Sequence, residues 1–258
     1  MKRSSGARMG ATVALSAITL ALITGCSSEE SDDSKSTGKD KSASPTQAAK
    51  ALSAAELEKL LLAQGDLGAK KYKVEDGDDT LPKSKTGVTS EQAECEPLVW
   101  AMAALPPGET DAHASNTVSE APASTAAADP EDFADAFDIN VTFVGLSSYE
   151  GDGAEKAMKA VSDGVSACAG GYTFTGEGET TKVTKVSTAK ASGQGDESVA
   201  FVQAVDMDGA GPANFSTEVV RKGNTIASFY TLNLAALDSS KAAEIPAEIV
   251  TAQLGKLK

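Results

Sequence analysis

The sequence predicts an α+β domain: a mostly antiparallel twisted sheet with helices packed on one face, and one disulfide. Three observations lead there. Amphipathic helical stretches stand at both ends of the folded part, and a run of consecutive alternating segments closed by hairpin signals lies between them. Two of the three cysteines are left to pair once the first is assigned to the N-terminus.

Ser53-Ala54-Ala55-Glu56 is a capping box, and it opens a helix with Leu57, Leu60 and Leu61 on one face. Gly65-Asp66-Leu67-Gly68 ends it, a short strand follows over Tyr72 to Glu75, and Glu75 to Lys85 reads as loop. Thr89-Ser90-Glu91-Gln92 is a second capping box, ahead of Cys95, Leu98, Val99, Met102 and Leu105 at helical spacing. Pro97 leaves two options, a kink or a helix that starts at Pro97. Pro106-Pro107-Gly108 stops the helix, and residues 108–130 read as loop with a strand near Ser115–Glu120.

The alternation of Ile139, Val141 and Phe143 predicts a strand to about Tyr149. Asp152 to Glu155 caps a helix with Met158, Val161, Val165 and Cys168 on one face, ended by Gly170-Gly171. Strands then follow at Tyr172–Thr175, Thr181–Ser187, Ser198–Val205, Phe215–Lys222 and Thr225–Asn233. Gly223-Asn224 is a hairpin signal between the last two. Ile245, Ile249, Leu254 and Leu257 predict a final helix, with Pro246 in its first turn.

The chain divides into three parts. Residues 1–25 read as a signal peptide: Lys2, Arg3 and Arg8 precede an apolar or small stretch, Met9 to Thr24, that is shorter than the roughly 20 residues of a membrane span. Ile23-Thr24-Gly25-Cys26 resembles a bacterial lipobox. That resemblance implies a diacylglyceryl group on the Cys26 thiol, cleavage just before it, and a palmitate-type anchor on the outer face of the cell membrane. Residues 26–50 carry Cys26 and a Ser/Thr-rich tether without Val, Ile, Leu or aromatic residues, a composition that stays disordered and reaches about 25–30 Å. Residues 51–258 form a single domain. Cys95 and Cys168 are then an even pair in an exported protein, and a disulfide is expected between them.

Composition excludes several functions. The chain of 258 residues has a formal net charge of −14. With residues 1–25 removed, Arg221 is its sole arginine. No nucleic-acid partner is expected of so acidic a chain, because phosphate neutralisation needs a basic surface. There is one histidine, His113, in a Pro/Ala-rich loop with no nucleophile elbow beside it. No HExxH, CxxC or phosphate-loop motif occurs. Asp76-Gly-Asp78-Asp79 and Asp206-Met-Asp208-Gly209 lack the further ligands of a calcium loop and read as solvated turns. No catalytic residue, metal or cofactor is expected. Arg221, Asp196 and Glu197 are the weak candidates for ligand binding: a guanidinium can clamp an anion, and Gly195-Asp196-Glu197 is a turn that could rim a cleft. Pairing of Arg221 with an acid such as Glu218, or capping of the hairpin edge, is the competing role.

One resemblance gathers these features. The order of lipobox, Ser-rich tether, Asp66-Leu67-Gly68, Cys95-Glu-Pro-Leu98, Ala167-Cys168, Gly195-Asp196-Glu197 and Val219-Val220-Arg221-Lys222-Gly223-Asn224 resembles actinobacterial lipoproteins. The exported domain of those lipoproteins is similar to the extracellular sensor domain of mycobacterial serine/threonine kinase H. The resemblance implies an antiparallel sheet with helices, a cleft, and a non-enzymatic role in sensing a small-molecule or cell-wall ligand. The chain departs from the kinase in having no kinase domain and no membrane helix after the signal, so it is not expected to signal across a membrane by itself. Two other roles are also read from the sequence: an envelope lipoprotein that docks a partner without a small ligand, and a carboxylate-based hydrolase. An apolar-lined cavity would favour sensing, a flat apolar patch docking, and carboxylates with raised pKa values hydrolysis.

Overall fold

Nine strands form one antiparallel sheet in the order β1-β3-β4-β9-β8-β7-β6-β5-β2. The computed structural model describes residues 50–68, 71–76, 81–121, 138–207, 211–235 and 241–257. The signal peptide, Cys26, nearly all of the tether and the middles of the two acidic turns lie outside the described residues.

The strands are β1 Tyr72–Asp76, β2 Val88–Ser90, β3 His113–Glu120, β4 Asn140–Ser148, β5 Tyr172–Gly176, β6 Glu179–Ala189, β7 Glu197–Asp206, β8 Pro212–Lys222 and β9 Thr225–Asn233. The helices are α1 Ala54–Glu58, α2 Glu96–Met102, α3 Gly153–Ala167 and α4 Ala247–Lys256. Strands β5 to β8 fall where the alternation put them, each extended by one to three residues at one or both ends, β4 falls one residue short at each end, and β9 matches residue for residue. Ser53 and Glu56 close the capping box of α1.

Alternation separates two cores. Val219 and Ile226 point into one, with Leu98 and Val99 of α2 and Met158 and Val161 of α3. Val220 and Ala227 point into the other, with Leu57 of α1 and Ile249 and Val250 of α4. The single helical face that the sequence predicts is therefore corrected to two: α2 and α3 cover one face. Helices α1 and α4 take the opposite face. The physical reason is that β8 and β9 are buried on both sides, with all nine residues from Ala213 to Arg221 buried or half-buried whatever their parity; a sheet with apolar side chains on both faces needs cover on both.

The disulfide joins Cys95 to Cys168 across a sequence separation of 73, with the Cα atoms 6.0 Å apart. It ties the start of α2 to the end of α3, and both residues are fully buried.

Three local expectations are corrected. Thr89 to Gln92 does not cap a helix: Val88–Ser90 is β2, paired with β5, and the Ser90 hydroxyl donates to the Thr173 carbonyl at 3.0 Å. Strand pairing has taken the backbone that a cap would need. A short 3₁₀ turn, Ala93–Cys95, intervenes, and α2 starts at Glu96 with Pro97 in its first turn, where proline's missing N–H costs nothing. His113 is the first residue of β3 and not a loop residue. Pro246 lies one residue earlier than expected, as the cap before α4, its carbonyl accepting from the Ile249 amide at 3.0 Å.

Candidate functional site

A cleft of about 770 Å³ opens between the segment that follows α1, strand β1, the start of β3, and residues 81–83. Its walls are built by amide side chains. After α1 the Leu61 amide still reaches back to the Leu57 carbonyl at 3.1 Å, but the chain then leaves the helix, and the Leu60 carbonyl and both backbone groups of Leu62 find side-chain partners. Gln253 of α4 is fully buried; its Oε1 accepts from the Leu62 amide at 3.1 Å, and its Nε2 donates to the Leu60 carbonyl at 2.8 Å. Asn116 of β3 donates from Nδ2 to the Leu62 carbonyl at 2.6 Å. Gln64 bridges to β1, donating to the Tyr72 carbonyl and accepting from the Val74 amide, each at 2.9 Å.

The cleft is aliphatic inside and charged at its mouth. Leu61, Leu62, Val74, Leu81 and Ala114 contribute the apolar wall. Lys59, Lys83 and Lys256 meet Glu58 and Asp76 around it. Lys256 pairs with Asp66. That bond first, and the Ala63 amide second, hold the Asp66 carboxyl below its ordinary value. His113 lies on the lining, its Nδ1 3.3 Å from the Asp111 carbonyl. Asn116 is 2% exposed, and its Oδ1 has no hydrogen-bond partner. A buried acceptor left unpaired costs about 1–3 kcal/mol, so this oxygen favours whatever brings it a donor.

The weak ligand candidates come together, but elsewhere. Arg221 Nη1 lies 3.3 Å from Asp196 Oδ2, and its Nε lies 3.5 Å from Glu197 Oε2. None of the three is among the residues lining the cleft. Glu218, named as the competing partner, accepts instead from the backbone and hydroxyl of Ser192 at 2.8 and 2.6 Å. Sequence reasoning missed Asn116 and Gln253. The signal for Asn116 was its parity: it shares a strand face with Ala114 and Val118, where an apolar residue is the rule.

Other chemistry finds less support among the described residues. No group of three or more His, Cys, Asp or Glu is placed to hold a metal ion. The carboxyl groups that shift, Glu56, Asp66, Asp152 and Glu248, all shift downward, the opposite of a general acid's needs. Exposed large hydrophobics are two side chains, Met207 and Leu234.

Fold and site together define an α+β domain with one large antiparallel sheet, helices on both faces and a ligand-sized cleft at the β1–β3 edge. No protein-family model and no curated protein matches the chain. Among solved structures it is similar to the extracellular domain of PknH from Mycobacterium tuberculosis, at 13% identity and a TM-score of 0.45, covering 81% of this chain and 96% of that one. It is also similar to an uncharacterized protein, the Rv0999 ortholog from Mycobacterium smegmatis, at 15% identity and a TM-score of 0.34, covering 78% and 96%. The first is the extracellular domain of the kinase that the sequence resembles. Likenesses this distant carry no information on ligand or activity.

Proposed function

We propose that this chain is a non-enzymatic, sensor-like lipoprotein, anchored by diacylglyceryl on Cys26 to the extracytoplasmic face of the cell membrane, whose domain binds a small-molecule or cell-wall ligand in the cleft beside Asn116. The observation that carries the reading is a ligand-sized, aliphatic-walled cleft lined by Asn116, whose buried Oδ1 is left without a hydrogen-bond partner. The ligand it fits carries an N–H or O–H donor and an apolar face. The leader and lipobox support the anchor, and a buried disulfide suits an oxidising compartment.

Two measurements test it. In its own host, Cys26→Ser releases the protein from the membrane fraction; continued membrane association of this variant would remove the anchor from the proposal. Native mass spectrometry of the full protein from its own host finds a co-purifying molecule that is lost in Asn116→Leu. A bound molecule retained equally by both would move the site away from this cleft.

A further inference from the structure

A second cavity, of about 300 Å³, lies beside α2 and shares Leu81 and Pro82 with the Asn116 cleft. Val99, Met102 and Ala103 form one wall, Phe174 of β5 another, and Phe143 of β4 and Tyr230 of β9 the floor. None of the residues lining it is charged, in a chain where charged residues are 23% of the sequence.

The floor is aromatic in a chain with only 5% aromatic residues. Phe143 and Tyr230 stack with ring centroids 5.6 Å apart and 22° between their planes. Phe215 packs on Tyr230 at 5.7 Å, and Tyr172 on Phe174 at 6.2 Å. These are all the ring–ring contacts among the described residues, so the domain gathers its aromatic packing around this one cavity. The polar groups behind the cavity are already used. The Tyr172 hydroxyl donates to Gln203 Oε1, and Gln203 Nε2 donates to Met102 Sδ at 3.1 Å. The side-chain oxygen left on the lining is Tyr230 Oη. Burial pushes that phenol's pKa up, so it stays protonated and can donate.

Such a cavity suits hydrocarbon better than water. An ordered buried water needs two to four polar partners, and the lining side chains supply one hydroxyl. Its volume lies at the small end of ligand sites, room for one chain or ring. We propose that this cavity is a second binding site, distinct from the Asn116 cleft, that takes one hydrocarbon group over the Phe143–Tyr230 floor, with Tyr230 Oη donating to a polar atom at the end of that group. The hydrocarbon can come from a free apolar molecule or from a lipid of the bilayer beneath a tethered domain.

The test uses the full chain exported as Cys26→Ser, so that no detergent competes. The uncharged dye N-phenyl-1-naphthylamine binds saturably, at one site per chain, and methyl laurate displaces it. Leu232→Lys places an ammonium on the lining and weakens dye binding about tenfold or more. Ala103→Gln, a half-buried position on the rim, gives the same reading where the first variant does not fold. Tyr230→Phe weakens methyl laurate about three- to tenfold and leaves the dye's affinity unchanged, because only the ester offers the hydroxyl a strong acceptor. Asn116→Leu leaves both affinities unchanged, which keeps this site's fate separate from that of the other cleft. Phosphatidylcholine vesicles that displace the dye identify a bilayer source, and vesicles without effect identify a free molecule. Non-saturable dye binding, or full affinity in a folded Leu232→Lys or Ala103→Gln variant, would overturn the proposal.

Discussion

Asp196 and Arg221 hold each other by backbone and side chain at once. The Asp196 amide donates to the Arg221 carbonyl at 2.8 Å, while Asp196 Oδ2 faces Arg221 Nη1 at 3.3 Å and accepts from the Gly223 amide at 2.7 Å. One carboxylate thereby fastens the turn before β7 to the β8–β9 hairpin. Only Gly fits before it, since a Cβ on Gly195 would stand 2.5 Å from the Arg221 carbonyl oxygen, at φ +74.

This geometry predicts a structural role for the pair. Asp196→Ala frees the Gly223 amide and leaves a mostly buried guanidinium with a weaker partner. Asp196 is about half exposed, so the loss is moderate, about 1–2 kcal/mol by urea unfolding. Occupancy of the Asn116 cleft in native mass spectra stays as in the parent chain. A variant of unchanged stability that has lost the bound molecule would reverse the assignment and make Asp196 a ligand contact.

The disulfide joins α2 and α3 where both Cys residues are fully buried. Closing a loop of this length stabilises by up to about 4–4.5 kcal/mol in the chain-entropy model. Cys95→Ala with Cys168→Ala lowers the unfolding free energy by about that amount at most. A loss under about 1 kcal/mol in reversible denaturation would show that the helix pair holds itself.

Gly145 of β4 is where α2's end rests on the sheet. A Cβ there would meet the Ala104 carbonyl oxygen at 2.5 Å and its carbonyl carbon at 2.8 Å. Gly145→Ala therefore destabilises by about 1–3 kcal/mol through overpacking. Ala104 itself sits at φ +55. Ala104→Gly relieves the left-handed strain and loses one buried methyl, so its effect is small, within about 1 kcal/mol of the parent and on the stabilising side. Thermal midpoints that move in the same direction for both would contradict this contact.

Gln253 serves the cleft wall from α4. Gln253→Leu leaves the Leu62 amide and Leu60 carbonyl without their partners, at a cost of about 2–4 kcal/mol. Hydrogen exchange at Leu62 should accelerate more than at β9. Equal protection in parent and variant would mean that the segment after α1 finds other partners.

Acid weakens the domain through paired carboxylates. Lys71 first, and the Tyr72 hydroxyl second, hold Glu248 below its ordinary value of 4.5, and Asp66 lies below 3.8 through Lys256. A carboxyl lowered in the folded state adds stability above its unfolded pKa and loses it as pH falls through the folded one. Stability should accordingly be level above about pH 5 and fall below it. Glu248→Gln and Asp66→Asn flatten that fall in thermal midpoints recorded against pH. An unchanged slope in the double variant would assign the acid sensitivity to other groups.

Strand β9 and the helices over Cys95 and Cys168 were legible because alternation and helical spacing are local signals. So was the Ser53–Glu56 cap, whose partners stand three residues apart. The second such cap failed for a non-local reason: Val88–Ser90 pairs with Phe174 to Gly176, and no local pattern records a pairing across so much chain. Burial on both faces of β8 and β9, which sends helices to both sides, likewise depends on what each face meets.

By itself the sequence determined the order of the elements apart from β2, the cysteine pair and the acidic character, since each rests on composition or on short-range periodicity. Only the tertiary structure decided that Gln253, Asn116 and Gln64 meet around one segment and leave Asn116 Oδ1 unpaired. It alone placed Arg221 between two acids and gathered Phe143, Phe174 and Tyr230 about one cavity. Those arrangements join residues far apart in the chain, and their geometry follows from strand register and helix packing, which act only once the sheet has formed.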